Sequence, residues 1–267
     1  MNVIPPSPVL PIEGRHVLHL FYRIDRSVWT YFSEEEKLEG RSQLVSVIEE
    51  IRATPDTQLL LLSGVTPKAD VGFMLITPDL QFADEASKRL TTSLGPEVLT
   101  PVFSWLSMTE RSEYTMSEEE FLASLKPEEK TEERIAGFRA RMDKYGKDRL
   151  YPNLPDWPVV CFYPMTKRRD DGQNWYSLDF AVRKELMQGH ARVGRTYSGR
   201  VLQLITGSTG LDDGEWGVTL FAHTTSEIKS IVYEMRFDEV SAKYAEFGEF
   251  YILLQLPLDA LLRRLSL

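Results

Sequence analysis

The chain of 267 residues holds one cysteine and four histidines, and no apolar run approaches the ~20 residues that a membrane span requires. A single cysteine, Cys161, excludes an internal disulfide and any cysteine-rich metal site, and it fits a reducing compartment. The longest apolar stretches, Leu59 to Leu62 and Tyr251 to Leu256, are too short to cross a bilayer. The segment from Met1 to Pro11 has neither the basic start nor the unbroken apolar core of a signal peptide, so a cytoplasmic location is expected, and its prolines favour an extended arm. Positive charge is scarce overall. With 31 Lys+Arg against 40 Asp+Glu the net charge is −9, which argues against general nucleic-acid binding.

What is present is enough apolar residue, 42%, to build a substantial core, in one large domain or two ordinary ones. Val17 to Ile24 reads as a strand, and the Ser33-Glu34-Glu35-Glu36 capping box opens a helix with the apolar stripe Leu44, Val45, Ile48 and Ile51. Leu59 to Leu62 and Val71 to Ile76 are strands about a turn, a helix starts at Asp79, and Val102 to Met108 is a strand again. The same βαββαβ order returns later: strand Val159 to Met165, helix Asp179 to His190, strands Arg200 to Ile205 and Trp216 to Ala222, helix Ser226 to Met235, and strand Phe247 to Leu256. Leu-Leu-Ser-Gly-Val-Thr before Val71 echoes Leu-Ile-Thr-Gly-Ser-Thr before the Trp216 strand. The reading is a duplicated ferredoxin-like α+β fold of the dimeric α+β barrel type. It divides into an extended arm over 1–13, a first unit over 14–110, a helical connector over 111–157, a second unit over 158–256 and a tail over 257–267. The tail is amphipathic and is expected to pack on a neighbouring subunit.

The chemistry is expected between Cys161 and Arg200. From Tyr163 to Arg200 there are eight Lys/Arg and four acids, a local excess of +4 in an acidic chain, which points to an anionic ligand. Strand alternation puts Cys161, Tyr163, Met165 and Lys167 on one face and Phe162 on the other, and Pro164, which cannot donate to a ladder, places the motif at a strand end or edge. Tyr163 is then either an amphipathic core residue or a ligand-facing phenol. His190 follows Leu186 and Met187 by four and three residues, so it shares their apolar face; it is either a packing residue or an imidazole ligand. One histidine cannot hold zinc, whereas haem iron needs a single axial group from the protein, and without Cys-x-x-Cys-His any haem is non-covalent. Gln203, among four apolar neighbours in Val201 to Ile205, reads as a buried amide that needs partners or faces a ligand. His16 and His19 fall on opposite strand faces and make a poor metal pair. His223 reads as a loop or helix-start residue, and the glycines from Gly207 to Gly214 lack phosphate-loop spacing.

In Tyr163-Pro-Met-Thr-Lys-Arg-Arg169, Asn174-Trp-Tyr176, Leu186-Met-Gln-Gly-His190, Gly194-Arg-Thr-Tyr-Ser-Gly199, Asp212 to Phe221 and Val232 to Glu239, the chain resembles the coproheme decarboxylases of the chlorite dismutase-like superfamily. The likeness is looser in the first half, chiefly around Lys68-Ala69-Asp70. It implies a homopentamer that binds iron-coproporphyrin III non-covalently, with His190 as the proximal iron ligand. It implies oxidative decarboxylation of two propionates by hydrogen peroxide to give haem b, with Tyr163 as the radical that takes hydrogen from the propionate β-carbon. Arg149, Met165, Lys167, Arg236 and Ser241 match positions near the propionates, and Gln203 matches the position above the iron. A coproporphyrin ferrochelatase is the implied transient partner. The local Arg/Lys excess suits four carboxylates, and a phenol that resists deprotonation suits hydrogen-atom donation. The competing readings are a chlorite dismutase or peroxidase-like haem enzyme, which the glutamine at 203 disfavours because chlorite dismutases carry an arginine there, and a haem carrier or sensor with no use for Tyr163.

Overall fold

The computed structural model describes residues 7–267. The first half runs β1 (His16–Ile24), α1 (Arg26–Tyr31), α2 (Glu34–Ala53), β2 (Gln58–Gly64), β3 (Val71–Thr77), α3 (Leu80–Thr92) and β4 (Leu99–Thr109). A helical stretch of α4 (Glu118–Ser124), a 3-10 turn at Pro127–Glu129 and α5 (Glu132–Leu150) follows. The second half comprises β5 (Val159–Lys167), α6 (Phe180–Thr196), β6 (Val201–Gly207), β7 (Trp216–Ala222), α7 (Thr225–Met235), α8 (Glu239–Tyr244), β8 (Ala245–Phe247), β9 (Tyr251–Gln255) and α9 (Leu258–Leu265). The fold is α+β. Both capping boxes read from sequence, at Ser33 and Ser117, close with reciprocal hydrogen bonds to Glu36 and Glu120.

Each half makes a four-stranded antiparallel sheet of the same internal order, β4-β1-β3-β2 in the first and β9-β5-β7-β6 in the second. Two short seams join them. Met108 and Thr109 of β4 pair with Gly207 and Thr206 of β6, and Leu62 to Gly64 of β2 pair with Gln255 to Leu253 of β9. The sheets thereby close into a barrel, which removes the exposed edges that open sheets present. Strand alternation then sorts the apolar residues into three cores. Val17, Phe21, Trp105, Phe162, Phe221 and Tyr251 come from strands of both halves and fill the interior. Leu44, Ile48, Phe73 and Leu90 lie under α2 and α3 outside the first sheet; Cys161, Tyr163, Leu220 and Ile231 lie under the helices of the second.

His19 is fully buried inside the barrel, stacked on Phe162 with ring centroids 4.0 Å apart and with Nε2 2.9 Å from the Thr219 hydroxyl. Burial pulls its pKa down to about 3, so it is neutral and ties β1 to β7 across the two halves. His16 is separate from it, with Nδ1 3.2 Å from the Pro78 carbonyl oxygen.

Several elements differ from the sequence reading. The helix expected to end at His190 continues to Thr196, so His190 sits in its interior. The strand expected over Phe247 to Leu256 is broken into β8 and β9, preceded by the unforeseen helix α8. The tyrosine strand β5 is no edge strand. It pairs with β7 along one side and with β9 and β8 on the other, and Pro164 falls at the break between those two, where its carbonyl accepts from the Gly248 N–H at 2.9 Å. The missing N–H of proline therefore costs no ladder bond on that side.

The tail, expected to pack on a neighbouring subunit, packs on its own. Leu261 and Leu265 of α9 are buried in the core beneath α2 and α3, with Leu258, Leu262 and Leu267 against them, and the Arg26 guanidinium donates to the Leu265 carbonyl. The arm is described only from residue 7, where the Val9 N–H donates to Asp79 Oδ1 at 2.8 Å; its first six residues lie outside the described residues. Truncating Leu261 to alanine is expected to lower stability by about 2–4 kcal/mol. Because the contact is within the chain, the shift in thermal midpoint should not vary with protein concentration; dependence on concentration would place the tail between subunits.

Candidate functional site

The two halves share a fold but not a packing. In the first, α2 buries Gly40, Leu44, Val47, Ile48 and Ile51. Its counterpart α6 buries none of its seventeen residues, although Val182, Leu186, Met187 and Val193 are apolar. A helix held over a sheet without filling the space beneath it marks the second half as the place for a ligand.

His190 projects from α6, and its Nδ1 lies 3.0 Å from Asp238 Oδ2. Asp238 is the N-cap of α8, accepting at Oδ1 from the Val240 and Ser241 N–H groups at 3.0 and 3.3 Å. Burial favours its neutral form, but the bonds from His190 and Ser241 prevail and hold the carboxyl below its usual range. One carboxylate thus caps a helix and fixes an imidazole, leaving Nε2 without a hydrogen-bond partner among the described residues. A cavity of about 620 Å³ is lined by His190 and Arg192, by Val182, Leu186 and Gly189, and by the carboxylates of Glu185, Asp238 and Glu239.

On β5, Tyr163, Met165 and Cys161 do share the face turned toward these helices, while Phe162 points into the barrel. Tyr163 is buried, its ring stacked on Phe250 at 4.3 Å, with Phe247 at 5.8 Å. Burial pushes the phenol pKa up, Cys161 adds to this, and the Arg236 charge opposes it. The Arg236 guanidinium lies over the Phe247 ring at 4.4 Å. Lys167 is also buried, its ammonium 4.5 Å from the Trp175 ring centre. Burial pulls its pKa down to about 8 against the attraction of Asp238 and Glu215. Tyr163 and Arg236 therefore form one group, and Lys167, Asp238, His190 and Ser241 a second.

Gln203 is half-buried rather than enclosed on both faces, and it abuts α6 one turn beyond His190: a Cβ at Gly194 would stand 3.1 Å from its amide nitrogen. Glycine there admits the glutamine. Arg149, at the end of α5, donates to the Glu110 carbonyl at 3.0 Å, and the Glu110 carboxylate accepts from the Trp216 indole at 3.3 Å. Trp216 pairs with Met165, so Arg149 stands toward the Lys167 end of β5. The glycine turn is a structural tie; Asp212 within it accepts from the Leu106 N–H at 2.8 Å and joins β4 to the second half.

A chlorite dismutase family model matches residues 37–255. The chain belongs to the chlorite dismutase family. A solved structure described as a novel heme-binding protein from Thermus thermophilus is 36% identical, covers 100% of each chain and has a TM-score of 0.81. Chlorite dismutase from Candidatus Nitrospira defluvii in complex with imidazole is 18% identical, covers 96% of this chain and 97% of that one, and has a TM-score of 0.72; that likeness is one of fold.

Within this family member, half of the eight cations read from sequence are paired with acids from elsewhere. Lys184 pairs with Glu120 at 2.6 Å, Arg200 with Glu227 at 2.8 Å, Arg168 with Glu246 at 3.8 Å, and Arg169 with the buried Glu215. Glu215 also accepts from the Lys167 N–H at 2.6 Å and so fixes the end of β5. Lys167, Arg183, Arg192 and Arg195 have no carboxylate partner within 4 Å among the described residues, although Arg183 donates to the Leu178 carbonyl at 2.9 Å. The residues missed from sequence are Asp238, Glu215, Phe247 and Phe250. Only Asp238 had a local signal, an acid followed three residues on by Ser241 after a helix end.

Asp238→Ala removes both the cap and the imidazole partner and is expected to cost about 1–2 kcal/mol in urea unfolding. Asp238→Asn keeps the cap and should stay within about 0.5 kcal/mol of the wild type. Equal losses from the two variants would mean that the charge, and not the cap, holds α8.

Proposed function

We propose that the chain is a coproheme decarboxylase that converts iron-coproporphyrin III to haem b. The observation that carries this reading is the pairing, on the under-filled face of the second unit, of a carboxylate-held histidine with a free Nε2 and a buried tyrosine that resists ionisation. The donor set fits the group. Among the described residues no cluster of three or more His, Cys, Asp or Glu is placed to hold a metal ion, so His190 is a lone ligand, as suits an iron already held by four porphyrin nitrogens. Hydrogen bonding of Nδ1 to Asp238 fixes the tautomer and would make Nε2 the stronger donor toward the iron.

The iron of the bound substrate supplies the activation of peroxide. For each propionate, one β-hydrogen atom and one further electron leave the side chain, carbon dioxide departs and a vinyl group remains; with one proton taken up from solvent, one peroxide becomes two waters. Tyr163 passes a hydrogen atom and never a bare proton, because burial disfavours its phenolate. As a neutral radical it takes the β-hydrogen and is restored. Arg236 stands by Tyr163 to hold a propionate in reach, and Arg149, Lys167 and Ser241 are the further propionate donors; Met165 gives an apolar wall between Tyr163 and Lys167. Gln203 lies near α6 as an uncharged amide where the chlorite dismutases carry an arginine, which favours decarboxylation over chlorite chemistry.

Titration with iron-coproporphyrin III and peroxide, followed by weighing the porphyrin, tests the reading; oxygen release on adding chlorite would replace it with the chlorite dismutase reaction. Tyr163→Phe should bind the porphyrin normally and lose decarboxylation by at least about a hundredfold, since the donor of the hydrogen atom is gone; full activity would remove Tyr163 from the chemistry. Lys167 is charged below about 8 and neutral above it. Substrate affinity should therefore weaken as pH rises through that value, and Lys167→Met should flatten the step. A step of equal size in the variant would assign it to another group.

A further inference from the structure

A second cavity, of about 420 Å³, opens on the other side of the α7–α8 turn. Its walls are apolar: Ile228 and Val232 from α7, Phe250 and Ile252 from the β9 side. Two cations, Lys229 and Arg236, also line it, seven residues apart and so on one side of the helix, about 10 Å apart along its axis. Nineteen ion pairs occupy charges elsewhere in the described chain, yet neither cation has a carboxylate within 4 Å among the described residues. Unpaired cations at each end of an apolar floor complement a flat apolar body that carries carboxylates. Phe250, part of the cavity wall, has its ring stacked on Tyr163 at 4.3 Å, so an occupant of this cavity is one ring removed from Tyr163.

We propose that this cavity receives the reacting, carboxylate-bearing edge of the porphyrin, and that Lys229 is a specificity-determining residue that takes one carboxylate while Arg236 takes its neighbour. The inference rests on the function proposed above. Its consequence is selective: the four-carboxylate substrate feels Lys229, whereas haem b, whose reacting edge carries vinyl groups, does not.

The test measures Soret titrations of the full chain without peroxide, using iron-coproporphyrin III and haem b as separate probes. Lys229 is exposed, so Lys229→Glu should fold as the wild type does. The variant is expected to bind iron-coproporphyrin III about tenfold more weakly, the scale of reversing a charge beside a partly desolvated carboxylate, and haem b within about twofold of the wild type. Val232→Trp, which fills the cavity, should weaken both porphyrins, since each places the same edge there; an unchanged affinity for iron-coproporphyrin III would place that edge elsewhere and overturn the inference. An unchanged ratio of affinities in Lys229→Glu, whether from no loss or from equal losses, would overturn the inference alone. Failure of the wild-type chain to bind either porphyrin would overturn the functional reading and this inference with it.

Discussion

Closure of the barrel is the constraint on which the rest depends. Two seams, five residue pairs in all, turn two four-stranded sheets into one ring, and every strand then has an inner and an outer face. The inner face must be filled, because neither water nor a large ligand has a way into a ring packed with Phe21, Trp105, Phe162, Phe221 and Tyr251. A ligand site is therefore confined to an outer face. The imidazole inside, His19, is kept neutral by burial and bonded to Thr219, so it brings no charge that would have to be compensated there.

Local structure was legible in the sequence to the extent that its signals were local. Short apolar runs gave β1, β2, β3 and β7, and the serine-glutamate spacing gave the starts of α2 and α4, because a capping box is satisfied within four residues. The end of α6 was misread because Gly189, His190 and Gly194 look like termination, whereas Gly194 is there to let the side chain of Gln203 approach the helix. The split between β8 and β9 follows from Pro164, a residue more than eighty positions away, and no local pattern in the Ala245 to Gln255 segment reports it.

Long-range electrostatics explain the other misreading. Charge counted along a segment measures a site only if the segment's partners lie within it. Here Glu120, Glu215 and Glu227 approach from the connector, the start of β7 and α7, and they neutralise Lys184, Arg169 and Arg200. Within the segment Lys167 on β5 and Arg183, Arg192 and Arg195 on α6 keep no carboxylate partner among the described residues, and outside it Lys229 on α7 and Arg236 at its C-cap do the same. Of the residues singled out from sequence, His190 lines one cavity and Arg236 the other, while Tyr163 sits beneath Phe250. The partner of His190, forty-eight residues on, was beyond any local reading.

The divergence of the two halves has a physical source in the tail. Both sheets present an apolar outer face to a pair of helices, and each must be covered or left to bind something. On the first, α9 returns from the end of β9 and drives Leu261 and Leu265 under the helices, with Leu258 and Leu262 closing the remaining gap. No segment among the described residues does this for the second. There the chain spends its last residues elsewhere, α6 rides over the sheet with no fully buried side chain, and the aromatic pair Phe247 and Phe250 lies over Tyr163. Apolar surface left in that condition gains free energy from any flat apolar body inserted against it, roughly 25 cal/mol for each Å² removed from water. The same eleven residues that complete one core therefore leave the other incomplete, and the duplication yields a structural half and a binding half from one fold.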